Sequence, residues 1–419
     1  MKVVVQKFGG TCVESEDRQL LTAERMMEAK DRGLYPVAVI SAMGRQGQPY
    51  STVELVSTVR RIYSRIEPRE LDLLMSCGEI ISTVAMAHLL RSKGYETIAF
   101  SGGQAGLITD GYYGHAHIVR IEPTPMLRAL QDGYMVFVAG FQGNTEHHQI
   151  TTLGAGGSDY TAVALSHVIQ ETPRLPFGEQ LDVEPLQIFK GVDGIMTANP
   201  DSVEEEIGGK SQTIGSLTYD ECVTMSRLGA EVLQEQAAEM ARKYKIPVVV
   251  RNFREADSPR SEIGVAAKYA EDDRATAIVD QKNLLVFDLE KANPRLSLQI
   301  AERLARERLT YYQVSGGDTG SRFAVRPLKY RDVPDIVSDV LTARGASADI
   351  NAGDFALVSV VGEGLRQRLD AWADRAGRVL KDNGIEIHGT ARDDISLSYL
   401  VPETRRKQAV SSLHKSLVL

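Results

Sequence analysis

The segment QKFGGT, residues 6–11, places Lys7 and two glycines at the end of a short run of β-branched residues. Backbone N–H groups in such a turn and a lysine ammonium can converge on phosphate oxygens, and glycine permits the close approach that this needs. A Gly-Gly pair after a strand is also typical of an ordinary turn. By itself the segment therefore leaves two interpretations open, a phosphate site and a plain turn.

The elements that must position these residues alternate between two types. From residue 1 to about 268, β-rich runs alternate with amphipathic stretches, which predicts an α/β domain with a largely parallel central sheet. A Pro-, Gly- and acid-rich segment, 171–185, predicts a surface loop. The clearest strands are 3–6, 36–41, 135–140 and 247–251. The helices with apolar residues at helical spacing are 53–66 and 70–90.

The residues after about 270 form an internal repeat. Two successive units of about 70 residues each have the order strand, helix, strand, strand, helix, and each is short enough to be one βαββα unit. Such pairs commonly share one sheet. The first unit is predicted at 283–290, a helix with Leu296, Ile300 and Leu304, 310–316, 322–327 and 332–343. The second is predicted at 355–361, a helix with Leu365, Leu369, Trp372, Ala376 and Val379, 385–389, 395–401 and 404–416.

Length, composition and charge exclude several classes of protein. At 419 residues the chain has room for two to four domains, and 43% hydrophobic with 25% charged residues is typical of a globular protein. A net charge of −8 argues against a nucleic-acid partner, because phosphate binding requires a basic face. We therefore expect a small-molecule ligand.

The cysteines and the first ten residues indicate the cellular compartment of the protein. Cys12, Cys77 and Cys222 are widely spaced and odd in number, so they predict neither a metal site nor a disulfide framework. The apolar stretch in the opening MKVVVQKFGG is too short for the apolar region of a signal peptide or for a membrane span. We expect a cytoplasmic protein without a membrane partner.

Six further segments follow QKFGGT in a characteristic order. They are VISAMG (39–44), SCGE (76–79), GGQAGLITD (102–110), VAGFQG (138–143), TTLGAGGSD (151–159) and VDGIMTANP (192–200). In order and spacing the chain resembles the aspartate kinases of the amino-acid kinase family. The resemblance implies an α/β fold, with an amino-acid kinase (carbamate kinase-like) three-layer sandwich followed by two ferredoxin-like ACT domains. It implies a kinase domain at 1–268 and ACT domains at 277–345 and 355–419.

The resemblance also implies a reaction and its residues. The reaction is transfer of the γ-phosphoryl group of ATP, with Mg²⁺, to the side-chain carboxylate of L-aspartate, the first step of lysine, threonine and methionine biosynthesis. Protein catalysis of such a transfer is mostly positioning and cancellation of phosphate charge. By resemblance, Lys7 and Asp159 are catalytic, and Ser41 and Glu79 bind the substrate. The nucleotide contacts implied are Lys7, Gly9, Gly10, Thr11, Gly156, Gly157, Ser158 and Asp193.

Two of these carboxylates have ordinary structural alternatives. A carboxylate near a phosphate site is repelled unless it faces a cation, so Glu79 would need a partner such as the ammonium group of the substrate. The alternative is an ordinary glutamate on a helix surface. Asp159 can orient magnesium, cap the helix that follows it, or do both.

Several positions depart from the family pattern. Ala155 stands where the family has an arginine that grips a substrate carboxylate, and loss of such a bond costs about 1.5–3 kcal/mol. The remaining departures are Lys190-Gly191 for Thr-Asp, Glu231 for Lys, Gln234-Glu235 for His-Pro, and Cys12 for Ser. The turns 293–295 and 362–368 also differ from the ACT pattern, which argues against binding of an amino-acid effector there. Homodimerisation through the ACT sheets is still expected, because it requires only the strands and the apolar helix faces.

Three hypotheses remain from the sequence. The first is an aspartate kinase with an altered substrate clamp. The second is a kinase for another small carboxylic acid, whose pocket is reshaped by Ala155 and Lys190. The third is a catalytically impaired homologue that regulates or binds a partner, which the joint change of Ala155, Gly191 and Glu231 favours.

Overall fold

A computed structural model describes most of the chain and divides it into two compact units. The first unit comprises Met1–Ile195, Gly215–Tyr219 and Leu233–Ala266, and the second comprises Met196–Ile214, Asp220–Val232 and Ala267–Leu419. The described residues are 1–44, 47–172, 174–175, 178, 180–204, 207, 209–230, 233–264, 274–290, 294–316, 320–327, 333–342 and 349–419.

The first unit contains thirteen strands within the described ranges. Those of its main sheet are β1 (Lys2–Phe8), β2 (Tyr35–Ile40), β3 (Thr97–Phe100), β6 (Met135–Ala139), β9 (Asp182–Val183), β10 (Leu186–Lys190), β13 (Ser216–Leu217), β14 (Val248–Asn252) and β15 (Ser261–Ile263). Those of a smaller sheet are β4 (Leu107–Thr109), β5 (Ile118–Ile121), β7 (Gln142–Asn144) and β8 (Ile150–Thr152).

The main sheet is largely parallel, with β1 near its centre. The strand order is β13-β15-β14-β10-β1-β2-β6-β3, and β9 pairs with β1. Among the pairings between described strands of this sheet, only that of β14 with β15 is antiparallel. All residues of β1 after Lys2 are buried, as expected for a parallel strand covered on both faces.

Six helices of the described part of the chain accompany these strands. They are α1 (Glu16–Asp31), α2 (Thr52–Arg60), α3 (Pro68–Arg91), α4 (Thr124–Gln131), α5 (Gly157–Gln170) and α7 (Glu235–Tyr244). Helix α1 packs its Ala23 and Met26 against Phe8 and Phe189, whereas α5 contacts β1 by way of Asp159. Helix α3 is the one described helix that is long and apolar enough to cross a membrane, but half of that stretch is buried in the protein, as in a core helix.

The predicted elements of this unit are mostly confirmed. All four predicted strands and the helix at 70–90 are present. The other helix is shorter than predicted, because α2 ends at Arg60 and Ile62 beyond it is 84% exposed. The predicted loop 171–185 contains the short strand β9 and the buried Leu175. Strand β10, beside β1, was not singled out from the sequence.

The second unit carries the repeats. Its strands are β11 (Ile195–Met196, at the boundary), β12 (Thr213–Ile214), β16 (Ala277–Gln281), β17 (Leu285–Glu290), β18 (Tyr311–Gly316), β19 (Gly320–Val325), β20 (Asp349–Ala352), β21 (Phe355–Val361), β22 (Gly389–Asp393) and β23 (Ser396–Pro402). Its helices are α6 (Tyr219–Arg227, at the boundary), α8 (Pro294–Arg306), α9 (Val333–Thr342), α10 (Leu369–Asp382) and α11 (Arg406–Leu417).

The two repeats share one eight-stranded sheet, as the sequence predicted. Its order is β16-β21-β23-β22-β18-β19-β17-β20, and the repeats meet where Ser315 is in register with Thr390. The predicted strand 385–389 is wrong in position, because β22 begins only at Gly389.

Strand β16 precedes the first repeat in the chain but pairs with the second. It is antiparallel to β21, and its Ile278 packs in one cluster with Val358 and Trp372. The first repeat has a separate core around Phe287, Ile300 and Phe323. The predicted boundary at 277 placed this strand in the first repeat, and the pairing places it in the second because hydrogen bonding between distant segments is not visible in local sequence.

Candidate active site

The carboxyl ends of the central parallel strands meet at one edge of the main sheet. From β1 the chain continues through α1 to β2 on one side, while β10 and β14 lie on the other side of β1. Ligands of open α/β sheets bind outside the carboxyl ends at such a reversal of strand order. Lys7, near the end of β1, and Ser41, directly after β2, therefore lie where a ligand crevice is expected.

Lys7 and Asp159 form a buried ion pair at this edge. Lys7 Nζ lies 2.6 Å from Asp159 Oδ1, and the two side chains are 10% and 8% exposed. Strand β1 presents the lysine, and the first turn of α5 presents the aspartate. The N-cap of α5 is Gly156, so the alternative that Asp159 is the helix N-cap is wrong. The pair places an ammonium and a carboxylate beside the N-terminal N–H groups of a helix.

The glycine turn after β1 lies against the chain that follows β2. A Cβ on Gly10 would lie 3.0 Å from the carbonyl oxygen of Ala42, and one on Gly9 would lie 3.5 Å from Lys7 Nζ. Residues Gly10–Cys12 form one turn of 3₁₀ helix, and Arg18 Nη1 donates to the carbonyl of Thr11. A side chain at Gly10 would crowd this approach, which explains the glycine.

A second glycine turn leads into α5. Gly154 and Gly156 both have left-handed backbones, with φ of 78° and 75°. Ser158 packs on the end of β6 so closely that a Cβ on Gly140 would lie 2.7 Å from its hydroxyl oxygen. Gly157 likewise lies against Leu153 and Phe141. These contacts hold the start of α5, with Ser158 and Asp159, at the sheet edge.

Glu79 is buried in the middle of α3 and faces the chain after β2. It is 4% exposed, so the helix-surface alternative is wrong. Its Oε1 accepts a 3.2 Å hydrogen bond from the N–H of Ala42, while its Oε2 is buried with no hydrogen-bond partner. Burial raises the pKa of Glu79 to about 8, against hydrogen bonds from backbone N–H groups that lower it. Among the described residues, no cationic side chain offsets this effect of burial.

Asp193 lies in the loop after β10 and is held by a residue that the sequence did not indicate. Asn252, at the end of β14, donates from Nδ2 to Asp193 Oδ1 at 2.7 Å and accepts from the N–H of Arg254. The described contact of Asp193 is thus with β14 and not with the Lys7–Asp159 pair. In the sequence, only the position of Asn252 at the end of a predicted strand could have indicated this residue.

Asp72 is a second residue that sequence reasoning missed. It is fully buried in α3 and accepts hydrogen bonds from the N–H groups of Gly114 and Thr152 and from the hydroxyl of Thr152. Burial raises its pKa while these bonds lower it. Because Thr152 precedes the second glycine turn, Asp72 positions that turn.

Two of the positions that depart from the family pattern, Ala155 and Gly191, have room around them. Ala155 is exposed between the glycines, and a Cβ on Gly191 would meet nothing within 4 Å. Gln234 caps α7 by accepting from the N–H of Ala237, and its Cβ lies close to Gly156. Glu231 lies outside the described residues. Lys190 ends β10.

Cys12 is buried and remains a thiol. Its Sγ donates to the carbonyl of Phe189 at 3.5 Å. Desolvation raises the pKa of the thiol to about 11, although the nearby Lys7 lowers it. A neutral, buried thiol is consistent with a small hydrophobic packing role rather than a nucleophile.

The donor set at the Lys7–Asp159 edge fits magnesium held mainly by a nucleotide. Within the described ranges, no three His, Cys, Asp or Glu side chains converge as in an all-protein metal site. Mg²⁺ commonly uses one or two carboxylates with phosphate oxygens and water. Asp159, with the hydroxyl of Ser158 beside it, satisfies that requirement.

Comparison with known proteins identifies the family of the chain. The sequence model of the amino acid kinase family matches residues 2–252, and the chain belongs to that family. Over its full length it is 33% identical to the aspartokinase of Geobacillus stearothermophilus, covering 100% of this chain and 98% of that protein. It is 30% identical to aspartokinase 2 of Bacillus subtilis, with 100% and 98% covered.

Solved structures show the same fold over the whole chain. The crystal structure of E. coli aspartokinase III in complex with aspartate and ADP matches with a TM-score of 0.76 over 99% of both chains, at 20% sequence identity. At that identity the likeness speaks for the fold alone, an amino-acid kinase fold with C-terminal regulatory repeats.

Proposed function

We propose that this chain is an ATP-dependent aspartate kinase that transfers the γ-phosphoryl group to the side-chain carboxylate of L-aspartate, giving 4-phospho-L-aspartate. The observation that carries the proposal is the buried Lys7–Asp159 pair at the carboxyl edge of the sheet, between two glycine turns. Full-length relatives named aspartokinase support the choice of acceptor.

In this proposal Lys7 supplies the positive charge for the ATP phosphates. The N–H groups of Gly9, Gly10 and Thr11, and those of Gly156, Gly157 and Ser158, act as additional donors from the two glycine turns. Four of these six residues are glycines, which carry no side chain that could obstruct the phosphates. When a nucleotide binds, the ammonium group of Lys7 would contact phosphate oxygens as well as Asp159.

Asp159 and Ser158 would hold Mg²⁺ together with the phosphate oxygens. The metal would neutralise charge on the β- and γ-phosphates and so make the phosphoryl group a better electrophile. Asp193, fixed by Asn252, would contact the nucleotide from the β10 side.

Glu79 would receive the ammonium group of the amino-acid substrate. Its buried Oε2 lacks a partner, and an ammonium there would restore the charged carboxylate. Ser41, whose N–H donates to the carbonyl of Phe8, lies in the adjacent loop and would contact the substrate or the transferred phosphoryl group.

The organisation of the chain is part of the same proposal. The kinase domain lies within residues 1–268, apart from 196–214 and 220–232, which cluster with the second unit. The repeats form two ACT domains near 277–345 and 355–419, with β16 counted with the second. We infer a cytoplasmic homodimer that associates through the ACT sheets. One solved structure of E. coli aspartokinase III contains lysine and aspartate, which supports an amino-acid effector for this chain as well.

The decisive experiment is an acceptor screen with Mg-ATP. Aspartyl phosphate should form and be trapped by hydroxylamine as the hydroxamate, with stoichiometric ADP. ADP release with another carboxylic acid but not with aspartate would instead support the second hypothesis, for which the open positions Ala155 and Gly191 provide the room. Absence of Mg-ATP binding by calorimetry would overturn both enzymatic readings and leave a regulatory homologue.

A further inference from the structure

The glycine turn at 154–156 carries the chain from β8 into α5 and so determines where Asp159 lies. Gly154 and Gly156 both have left-handed backbones. Glycine has more backbone freedom than any other residue, so ordering such a turn is costly and its shape depends on the groups that pack against it. Both ends of this turn are covered by side chains that are separate from the proposed ligand contacts.

His115, in the loop between β4 and β5, covers the first end of the turn. A Cβ on Gly154 would lie 3.3 Å from both Cγ and Nδ1 of its ring. The N–H of Ala116 donates to the carbonyl of Thr152 at 2.8 Å. Asp72 joins the same two segments, because it accepts from the N–H of Thr152 and from that of the residue before His115. The imidazole is therefore held against the stretch of chain that it covers.

Gln234 covers the other end of the turn. A Cβ on Gly156 would lie 2.8 Å from the Cβ of Gln234. Gln234 is also the N-cap of α7, where its Oε1 accepts from the N–H of Ala237 at 3.1 Å. Its Nε2 donates to Gln236 Oε1 at 3.1 Å. One side chain thus packs against the turn, caps a helix and contacts the next polar group of that helix.

Gln236 connects the two ends. Its Nε2 lies 3.2 Å from His115 Nδ1. An amide nitrogen is only a donor, so Nδ1 accepts this hydrogen bond and the neutral ring carries its proton on Nε2. The contacts therefore form a closed ring around Ala155, which runs through Gly154, His115, Gln236, Gln234 and Gly156.

We propose that His115, Gln234 and Gln236 are positioning residues for phosphoryl transfer, and we call them the turn brace. This inference rests on the proposed function. The turn brace holds the glycine turn, and the turn holds the N–H groups of Gly156 and Gly157 and the carboxylate of Asp159 at the phosphates. Catalysis of phosphoryl transfer is mostly positioning, and a displacement of about 1 Å can cost on the order of 10²-fold in rate.

The turn brace gives a role to one departure from the family pattern. Gln234 stands where aspartate kinases have a histidine. In this chain its amide caps α7 and contacts Gln236, so the changed residue takes part in holding the turn. This departure is therefore compatible with an active site and need not indicate loss of catalysis.

The test uses the full chain and steady-state ADP release with Mg-ATP and aspartate. Gln236→Leu removes both amide contacts, and His115→Leu removes the acceptor. His115→Asn is the conservative variant, because its amide oxygen can accept near the position of Nδ1. His117→Leu is the matched control, since His117 lies on the same segment but has its Nδ1 3.7 Å from Asp110 Oδ2.

We expect Gln236→Leu and His115→Leu each to lower kcat/KM for Mg-ATP by about 10- to 100-fold. The KM for aspartate and the melting temperature should change little, because Glu79 is not part of the turn brace. The double variant should lose no more than either single variant, since both break the same contact. His115→Asn should recover most of the loss, and His117→Leu should behave as the unsubstituted protein.

Unchanged kcat/KM in Gln236→Leu, or additive losses in the double variant, would overturn the proposal. A loss that follows the fall in melting temperature and raises the KM for aspartate equally would assign these residues a structural role only. Nitrogen-15 NMR of the histidine rings checks the geometry independently of activity, and a proton on His115 Nδ1 would contradict it.

Failure of the proposed function is a separate outcome, because the unsubstituted protein would then release no ADP with aspartate before any variant is compared. In that case the turn brace is measured as affinity for Mg-ATP by calorimetry. Gln236→Leu should weaken that affinity about tenfold. Equal affinity in the variant and the unsubstituted protein would overturn the turn brace.

Discussion

Glu79 in the first unit and Asp280 in the second are both buried carboxyl groups, but their surroundings differ. Glu79 has one oxygen with a backbone N–H partner and the other with none, and its pKa is raised to about 8. Asp280 contacts Arg406 and also accepts from Ser202 at 2.9 Å. Arg406 in turn donates to Ser202 and to Glu403.

Under the proposed function, the difference separates a binding group, Glu79, from a structural group, Asp280. A buried charge whose partners come from its own unit contributes to the architecture, and breaking such a pair leaves an uncompensated charge. A buried carboxyl with an unsatisfied oxygen costs stability until a partner satisfies it, and the substrate ammonium proposed for Glu79 would be such a partner. Four substitutions test whether this division holds.

Arg406→Met should have the largest effect, on stability. It leaves Asp280 buried without its cation, and we expect the free energy of unfolding to fall by about 3–5 kcal/mol. Urea denaturation of the variant gives this value. Arg405→Met, at the exposed neighbouring position, should change it by less than about 0.5 kcal/mol. A small loss for Arg406→Met would show that the pair is dispensable and the comparison mistaken.

Lys7→Met should abolish most catalysis. Loss of a preorganised positive charge at the phosphates should lower kcat on the order of 10²–10³-fold. The measurement is steady-state ADP release with saturating Mg-ATP and aspartate, and circular dichroism checks folding. Lys2→Met, on the same strand but exposed, is the control and should retain activity. Retention of kcat in the Lys7 variant would remove this residue from the site.

Glu79→Gln should change the dependence on pH and on substrate. In the free protein the raised pKa keeps Glu79 protonated up to about pH 8, whereas the unfolded chain loses that proton near pH 4.5. The associated stability is therefore complete below pH 4.5 and is lost as pH rises through about 8. In Glu79→Gln, the melting temperature should therefore decrease less between pH 4.5 and about 8 than in the unsubstituted protein.

The same substitution should also raise KM for aspartate by about 10- to 150-fold, because an amide cannot balance an ammonium group. In the unsubstituted protein KM should fall as pH rises toward 8, since the charged carboxylate binds the substrate. Glu70→Gln, exposed near the start of the same helix, should change neither property. An unchanged pH profile of KM in Glu79→Gln would assign the carboxyl a purely structural role.

Ala155→Arg should leave stability and kcat nearly unchanged and refine the assignment of the substrate site. The position is exposed, so an arginine fits without displacing the core. A restored grip on a substrate carboxylate should lower KM for aspartate by up to about 10- to 150-fold, with kcat little changed. Ala155→Gln, similar in length but uncharged, is the control. A lower KM for a different acid alone would favour the reshaped-pocket hypothesis.

Local sequence was sufficient to predict most strands and helices, but not what each of them pairs with or packs against. The strands at β1, β2, β6 and β14 and the long helix α3 follow from apolar runs and helical spacing, which are short-range properties. The helix after Ser51 was predicted too long because Ile62 continues the spacing, although it finds no core to pack against. Strand β22 was displaced because the apolar residues at 385 and 387 precede the pairing segment.

The candidate site was only partly predictable for the same reason. The segments QKFGGT and TTLGAGGSD indicated Lys7, Ser158 and Asp159 by their resemblance, whereas Asn252 and Asp72 carry no local motif. Each of these two acts through a partner distant in the chain, Asp193 and Thr152 respectively.

By itself the sequence determined the types of most elements, the repeat in the second half, and the two glycine-rich segments, because backbone preference and side-chain periodicity act over a few residues. Tertiary structure alone decided that Lys7 meets Asp159, that β16 joins the second repeat, and that 196–214 and 220–232 belong to the second unit. It also decided the raised pKa of Glu79, since desolvation depends on everything packed around a group and not on its neighbours in the chain.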